Sequence, residues 1–301
     1  MWQFLETTLR DTTPIALAAL AGVLAFRVGV FHLGLEGLMC AGAFAAVAVT
    51  KATGSVALGL VATVAICLLL SLLYWWVIDR LRANVIIAGL GLTGIGVAGS
   101  TFALQTFFGT QGAIQVAHGL PRPVTGHTSG PLSAVSGLTV VTWLLPVLVL
   151  AVWWLVRRTT LGLRMSAVGE YPFAARSAGA SPSRLRLLAL LLGGVLCALA
   201  GADLALGGLE AFTPGMTAGR GYIAFTAVVF GAAGPIGAAL ASLFFGAADA
   251  LGIVAQLEKW PVPVEIVMML PYVLTLVAVS IAGRLGRAGA SAQAGYAELR
   301  T

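Results

Sequence analysis

With 301 residues, 59% of them hydrophobic and only 9% charged, the chain holds more apolar surface than one soluble core can keep from water, and it reads as a bilayer protein. The net charge of +6 does not point to nucleic acid, because the basic residues stand at the ends of apolar runs, where they orient a chain in a membrane. Cys40, Cys67 and Cys197 lie far apart inside apolar runs, without CxxC or Cys/His spacing, and read as small hydrophobic helix residues.

Taken in order, the N-terminal MWQFLETTLRDTTP carries acids as well as a base and lacks the basic start and small-residue cleavage pattern of a signal peptide. The first apolar run is therefore expected to be retained. Runs near or above spanning length follow at 13–30, 33–50, 55–78, 84–108, 138–156, 187–208, 235–256 and 262–283, with a shorter one at 221–232. Glycine interrupts several of them, and two fall short of the roughly twenty residues an untilted crossing needs, so broken or tilted helices are expected near 27–37 and 209–222.

Arginine sets the orientation. Loop 157–186 holds Arg157, Arg158, Arg164, Arg176, Arg184 and Arg186, whereas the comparably long stretch 109–137 holds only Arg122. The first belongs in the cytoplasm and the second outside. Parity then places Arg27, Arg80, Arg82, Arg284, Arg287 and Arg300 inside as well, against Arg10, Lys51, Arg122, Arg220 and Lys259 outside, a bias of twelve to five. The fold expected is an all-α, polytopic transmembrane helical bundle of about nine crossings, with an external N-terminus and a cytoplasmic tail. It forms one domain, 1–301.

The two halves echo each other. Phe31-HL-Gly34, an apolar stretch and then a second run from Gly54 resemble Phe212-TP-Gly215, an apolar stretch and a second run from Gly234. One repeat starts inward and the other outward, so an inverted repeat is expected, with halves at 13–108 and 187–283.

Within loop 157–186, Glu170 and Pro172 suit a helix start, 171–178 could form about two turns, Gly179 suits the end, and Ser181-Pro182 can open the next helix. On such a helix Tyr171, Ala174, Ala175 and Ala178 share one side. That small-residue face, with Phe173 and Arg176 beside it, suits close approach by a partner's groove. Topology alone would require fewer arginines and no helix.

Glu36, Asp203, Asp249 and Glu265 fall within or close to apolar spans, where a carboxylate is costly and counts as a functional candidate. His32 has no metal-ligand partners nearby in sequence. Gly89-LGLT-Gly94 matches GxGxxG formally, yet it lies inside a span and reads as a helix-packing surface. No Gly-Lys-Ser/Thr phosphate loop is present, so if transport consumes ATP, another subunit binds it.

Three ordered segments carry a resemblance over nearly the whole chain: 31–46 (FHLGLEGLMCAGAFAA), 162–180 (GLRMSAVGEYPFAARSAGA), and 212–231 with FGAADAL at 245–251. Together they resemble the permease subunits of bacterial ABC importers in the branched-chain amino acid/ribose permease superfamily, most of all its nucleoside and simple-sugar uptake branch. The resemblance implies a coupling helix over 169–180, with Gly169, Glu170, Tyr171, Pro172, Phe173, Ala175, Arg176 and Gly179 meeting the ATP-binding subunit. It implies substrate near the midplane at His32, Glu36, Phe212, Thr213, Arg220 and Tyr222. Where relatives often read Gly-Glu-Asn-Pro and Asn-Leu-Gly-Leu-Glu-Gly, this chain has Tyr171 and His32.

The same resemblance implies no cofactor on this chain, with ATP and Mg on the partner ATPase. The implied partners are that ATPase, a second permease forming a heterodimer, an extracytoplasmic substrate-binding protein and membrane lipid. The implied place is the bacterial cytoplasmic (inner) membrane, and the chain itself is no enzyme. The residues alone leave a rival open, a secondary transporter in which Glu36, Asp249 or Glu265 couples uptake to protons. A scaffold without transport would leave the polar residues at the helix breaks unaccounted for.

Overall fold

The computed structural model describes residues 2–123, 137–257, 269 and 273. Most of the run 262–283, with Glu265, and the tail beyond it lie outside the described residues.

Ten α-helices carry the described chain: α1 (Trp2–Phe26), α2 (Leu35–Thr53), α3 (Val56–Trp75), α4 (Val85–Phe108), α5 (Val140–Arg158), α6 (Thr160–Glu170), α7 (Pro172–Ser177), α8 (Pro182–Ala202), α9 (Arg220–Phe230) and α10 (Pro235–Leu257). A π-helical turn extends α3 through Trp76–Arg80, and another extends α8 through Asp203–Leu209. The only sheet among the described residues is one antiparallel pair, β1 (Ile114–Gln115) with β2 (Ala211–Phe212), in register Ile114 to Phe212.

The helix ends follow local chemistry. Asn84 accepts from the amides of Ile86 and Ile87, Thr139 from Thr142, and Thr159 from Gly162, so the free first-turn amides of α4, α5 and α6 are satisfied. Gly54 closes α2 in the left-handed region at φ 71°, its amide returning to Thr50. Helix α1 starts well before the run at 13–30 because its polar first turns are also packed: Asp11, Thr12 and Thr13 are buried. Thr13 donates to the Leu9 carbonyl at 2.8 Å, next to the helix-internal Pro14.

Among the described residues, seven helices are long and apolar enough to cross a membrane. Helix α9, with eleven residues, covers about 16 Å, half the ~30 Å hydrocarbon core. Helices α1 and α2 are buried nearly throughout. Helices α3, α4 and α5 instead expose Val61, Leu69, Ile87, Phe102, Phe107 and Leu150, the pattern of a bundle solvated by lipid.

Lipid is as apolar as leucine, so close backbone approach has to hold such helices together. A Cβ on Gly96 would stand 2.1 Å from the Gly37 carbonyl oxygen, and one on Gly246 would stand 2.1 Å from Thr12 Oγ1. These contacts fix α2 against α4 and α1 against α10. Gly89 of the GxGxxG match also packs, its Cβ site 3.2 Å from the Leu33 amide, whereas Gly91 and Gly94 face open space. Gly96→Ala is expected to push α4 off α2 and cost about 1–3 kcal/mol, while Gly94→Ala stays neutral. Thermal unfolding of the two variants in detergent checks the difference.

The order of contacts along the helices fixes their senses. Gly34 meets Leu92, and Cys40 lies 3.3 Å from Ser100, so α2 and α4 run parallel. Helix α3 runs antiparallel to α2, with Gly59 against Thr50 and Cys67 on the Leu38 carbonyl. Helix α9 runs alongside α1 in the same direction, and α10 returns, because Gly22 meets Val228, Arg27 meets Ala233 and Thr12 meets Gly246.

Candidate functional site

Helix α1 ends at Phe26, and after a break over 27–34 the segment FHLGLEG starts α2 at Leu35, which places Glu36 in the first turn of a new helix inside the bundle. On the facing side TPGMTAGRG breaks the chain before α9, with Gly215 and Gly219 at φ 73° and 81°. The two breaks meet. Glu36 Oε1 accepts from Thr217 Oγ1 at 2.6 Å and from the Gly219 amide at 2.9 Å, and Oε2 accepts from the Gly221 amide at 2.7 Å.

The first amides of α9 have no partner within their own helix, and they form its positive end. A carboxylate from another helix therefore caps α9. Glu36 is 5% exposed, a burial that three charge-assisted hydrogen bonds offset. Glycine is required at the contact, since a Cβ on Gly221 would stand 2.4 Å from the Glu36 amide nitrogen.

Arg220, the first residue of α9, turns away from Glu36 toward Asp249 of α10, at 4.0 Å. The charges of Arg220, Arg10 and Asp249 all act on Asp11, which is buried on α1. Thr8, Thr12 and Asp11 Oδ2 have no hydrogen-bond partner among the described residues. The three elements α1, α9 and α10 thus enclose a polar patch near the middle of the bundle.

The other expected substrate residues spread out from this point. His32 stacks on Tyr74 of α3 at 4.6 Å and 18°, is 2% exposed, and its ring nitrogens find no hydrogen-bond partner among the described residues. Phe212 is fully buried with its edge toward Phe44, centroids 5.3 Å apart. Thr213 is half-buried and Tyr222 is 40% exposed. Glu36 and Arg220 thus lie on either side of the start of α9 with different partners, while His32 packs on α3 and Phe212 belongs to the β1–β2 wall.

Sequence reading did not single out Thr217, Gly219 and Gly221, the partners of Glu36. The signal available was the pair of glycines flanking Arg220. Asp203, a functional candidate by its place in an apolar span, has a structural partner in the fold. That residue is buried at the start of the π-helical turn and accepts from Thr139 Oγ1 at 2.5 Å, tying α8 to the cap of α5.

Loop 157–186 contains two helices where the sequence suggested one. Residues Thr160–Glu170 form α6, so Glu170 closes that helix, and α7 opens at Pro172, whose missing amide suits the first helical position. Gly179, at φ 82°, follows α7, and the Ala180 amide returns to the Ala175 carbonyl at 2.9 Å. Ala175 faces inward, 5% exposed, while Tyr171 and Phe173 are 48% and 60% exposed and form a T-shaped pair at 6.2 Å. Of the expected face, Tyr171, Ala174 and Ala178 are exposed, with Phe173 and Arg176 beside them, whereas Ala175 is buried and seats the helix.

Gly169, near the end of α6, lies against the end of α1: a Cβ there would stand 2.5 Å from the Arg27 carbonyl oxygen. Burial first, and then the Arg157 guanidinium, lower the pKa of Arg27 from its ordinary value, while Glu170 opposes them. A guanidinium stays cationic throughout the accessible pH range.

A lipid-solvated bundle with two broken helices meeting inside it, a buried carboxylate capping one of them and a projecting pair of short helices defines a multi-pass membrane transport protein. Residues 4–279 match the family described as branched-chain amino acid transport system / permease component, and the chain belongs to that family. It is a permease component of an ABC transporter and not an enzyme.

Its relatives are of the same kind. TsgC13 of Haloferax volcanii, provisionally named a glucose ABC transporter permease, is 34% identical over 259 residues, covering 84% of this chain and 77% of its own. The guanosine ABC transporter permease NupQ of Bacillus subtilis is 31% identical, covering 94% of this chain and 92% of its own. The nucleoside ABC transporter permease NupC of Lactococcus lactis is 31% identical, covering 90% and 89%. No solved structure matches the chain.

Proposed function

We propose that the chain is the membrane-spanning permease subunit of an ATP-binding cassette importer that carries nucleosides or simple sugars by alternating access. Helix α7 carries this assignment: a six-residue helix held by Gly169 and Gly179 presents Tyr171 and Phe173 to the outside of the bundle, next to Arg176. Large apolar side chains exposed on a short rigid helix fit a partner's groove. The groove belongs to the ATPase, which binds ATP and Mg, and this chain binds no cofactor. The names of the relatives, guanosine, nucleoside and glucose, support the substrate class.

The crossings number nine in this proposal, with α9 and the break before it completing one and the run at 262–283 supplying the last. The whole chain forms one domain. The N-terminus is external, and loop 157–186 and the C-terminus face the cytoplasm of a bacterial cell. The opposed senses of α2 and α9, whose first turns meet at Glu36, support an inverted repeat.

Substrate contact falls to Thr213, Arg220 and Tyr222 with Phe212 as a wall, while Glu36 and His32 hold the helices that carry them. Guanidinium and phenol suit the hydroxyls and ring nitrogens of such ligands. A second, different permease completes the pathway, an extracytoplasmic binding protein delivers substrate, and lipid covers α3 to α5. Of the carboxylates a proton-coupled carrier would use, Glu36 is committed to α9 and Asp249 to Arg220, which favours the ATP-driven reading, and Glu265 lies outside the described residues.

The test is uptake of labelled guanosine and of labelled glucose into proteoliposomes holding the native complex with its binding protein. Saturable, ATP-dependent uptake of one, displaced by members of its own class, is the expected result. Uptake of neither, or uptake that continues without ATP, contradicts the assignment.

A further inference from the structure

We infer that Arg27 is a positioning residue that joins the coupling loop to the broken helix α9, so that a displacement of α7 reaches the site at the other end of α9. The inference rests on the reading of α7 as the ATPase contact. Arg27 follows the last residue of α1, and its Nη2 donates to the Ala233 carbonyl at 3.1 Å. Ala233 belongs to the turn between α9 and α10, where Ala232 and Ala233 adopt φ 50° and 52° and their amides return to Val229 and Val228. Two consecutive alanines in the left-handed region make this a turn with little freedom to adjust.

On its other side Arg27 touches the loop. Gly169, three residues before α7, packs so closely on the Arg27 carbonyl and the Gly29 amide that no side chain fits between them. The charges of Arg157 and Glu170, one at each side of α6, also act on Arg27.

Helix α9 is thus gripped twice. Glu36 holds its first amides and Arg27 holds the turn that follows its last residue. An eleven-residue helix fixed at both ends moves as a strut, and a push at Gly169 has a contiguous route through Arg27 and Ala233 to Arg220 and Tyr222. The guanidinium suits the task because its rigid fork can reach a carbonyl from the end of another helix, where an ammonium reaches less far and holds one direction less firmly.

The test uses the full complex with its ATPase in nanodiscs and needs no transported ligand. Nitroxides placed at Val229 of α9 and Leu69 of α3, both exposed, report the position of α9 by pulsed electron spin resonance. The native thiols Cys40, Cys67 and Cys197 are buried, so labelling stays at the introduced sites. ATP with Mg is expected to shift the Val229–Leu69 distance in the otherwise native protein. In Arg27→Met the ATPase still co-purifies and hydrolyses ATP, but the shift falls to less than half, and Arg27→Lys restores part of it.

Gly169→Ala gives a second route, since it displaces Arg27 without removing its charge, and a reduced shift is expected there too. A native-size shift in Arg27→Met or in Gly169→Ala overturns the inference, as does a protein with ATPase bound whose α9 never moves. Failure of the unmodified chain to retain an ATPase would instead overturn the function on which the inference rests.

Discussion

Glu36→Ala is expected to abolish uptake and to lower the stability of the permease by about 4 kcal/mol or more, from the loss of three charge-assisted hydrogen bonds worth ~1.5–3 kcal/mol each. The carboxylate is buried and is the acceptor for Thr217, Gly219 and Gly221, so its removal leaves three donors without a partner inside a membrane protein. The start of α9, with Arg220 and Tyr222, then has nothing to fix it. Glu36→Gln keeps an acceptor for Thr217 and Gly219 but turns an amide N–H toward the Gly221 amide, and falls between the two. Thermal unfolding in detergent and uptake in proteoliposomes measure both. Wild-type uptake and stability in Glu36→Ala would show that α9 does not depend on this cap.

Tyr171→Ala combined with Phe173→Asp is expected to weaken ATPase binding about 100-fold or more, since buried aromatic anchors at interfaces contribute about 2–4 kcal/mol each when truncated. Both side chains are largely exposed in the isolated chain, so its own stability should change by no more than about 0.5 kcal/mol. The combination separates docking from folding: the variant reaches the membrane, unfolds at the normal temperature and loses its ATPase on purification. Ala175→Trp behaves in the opposite way, because Ala175 is buried against the loop and a larger side chain disrupts the seating of α7. Retention of the ATPase by the double variant would remove α7 from the interface.

Much of this architecture is legible in the sequence because membrane helices announce themselves by length. The spans from α2 to α5, α8 and α10 coincide with apolar runs to within a few residues. The break at FHLGLEG is visible from glycine spacing, and the stop after α7 from Gly179. The start of α1 is not, since LETTLRDTT is polar on any scale and becomes helical by packing against α10 and α5.

At the site, a carboxylate in an apolar run signals importance but not its partner. Glu36 could have paired with Arg220 on charge alone, yet the nearest positive potential is the amide end of α9, and Arg220 goes to Asp249. That choice depends on the left-handed Gly219 and on Gly221 letting the backbones close, which only the folded chain shows. The same limit governs α7: a period of 3.6 residues places Ala175 on a helix face, but which face is covered depends on α6, whose sequence does not set it apart from the rest of loop 157–186.

The most direct measurement takes the native complex with its binding protein in sealed vesicles and follows uptake of the accepted nucleoside or sugar while the proton gradient and ATP are controlled separately. Uptake that persists after the proton gradient is collapsed, and stops when ATP is withdrawn or when Tyr171 and Phe173 are replaced, is the expected result. Uptake that ends with the proton gradient and ignores both ATP and those replacements would contradict an ATP-driven permease.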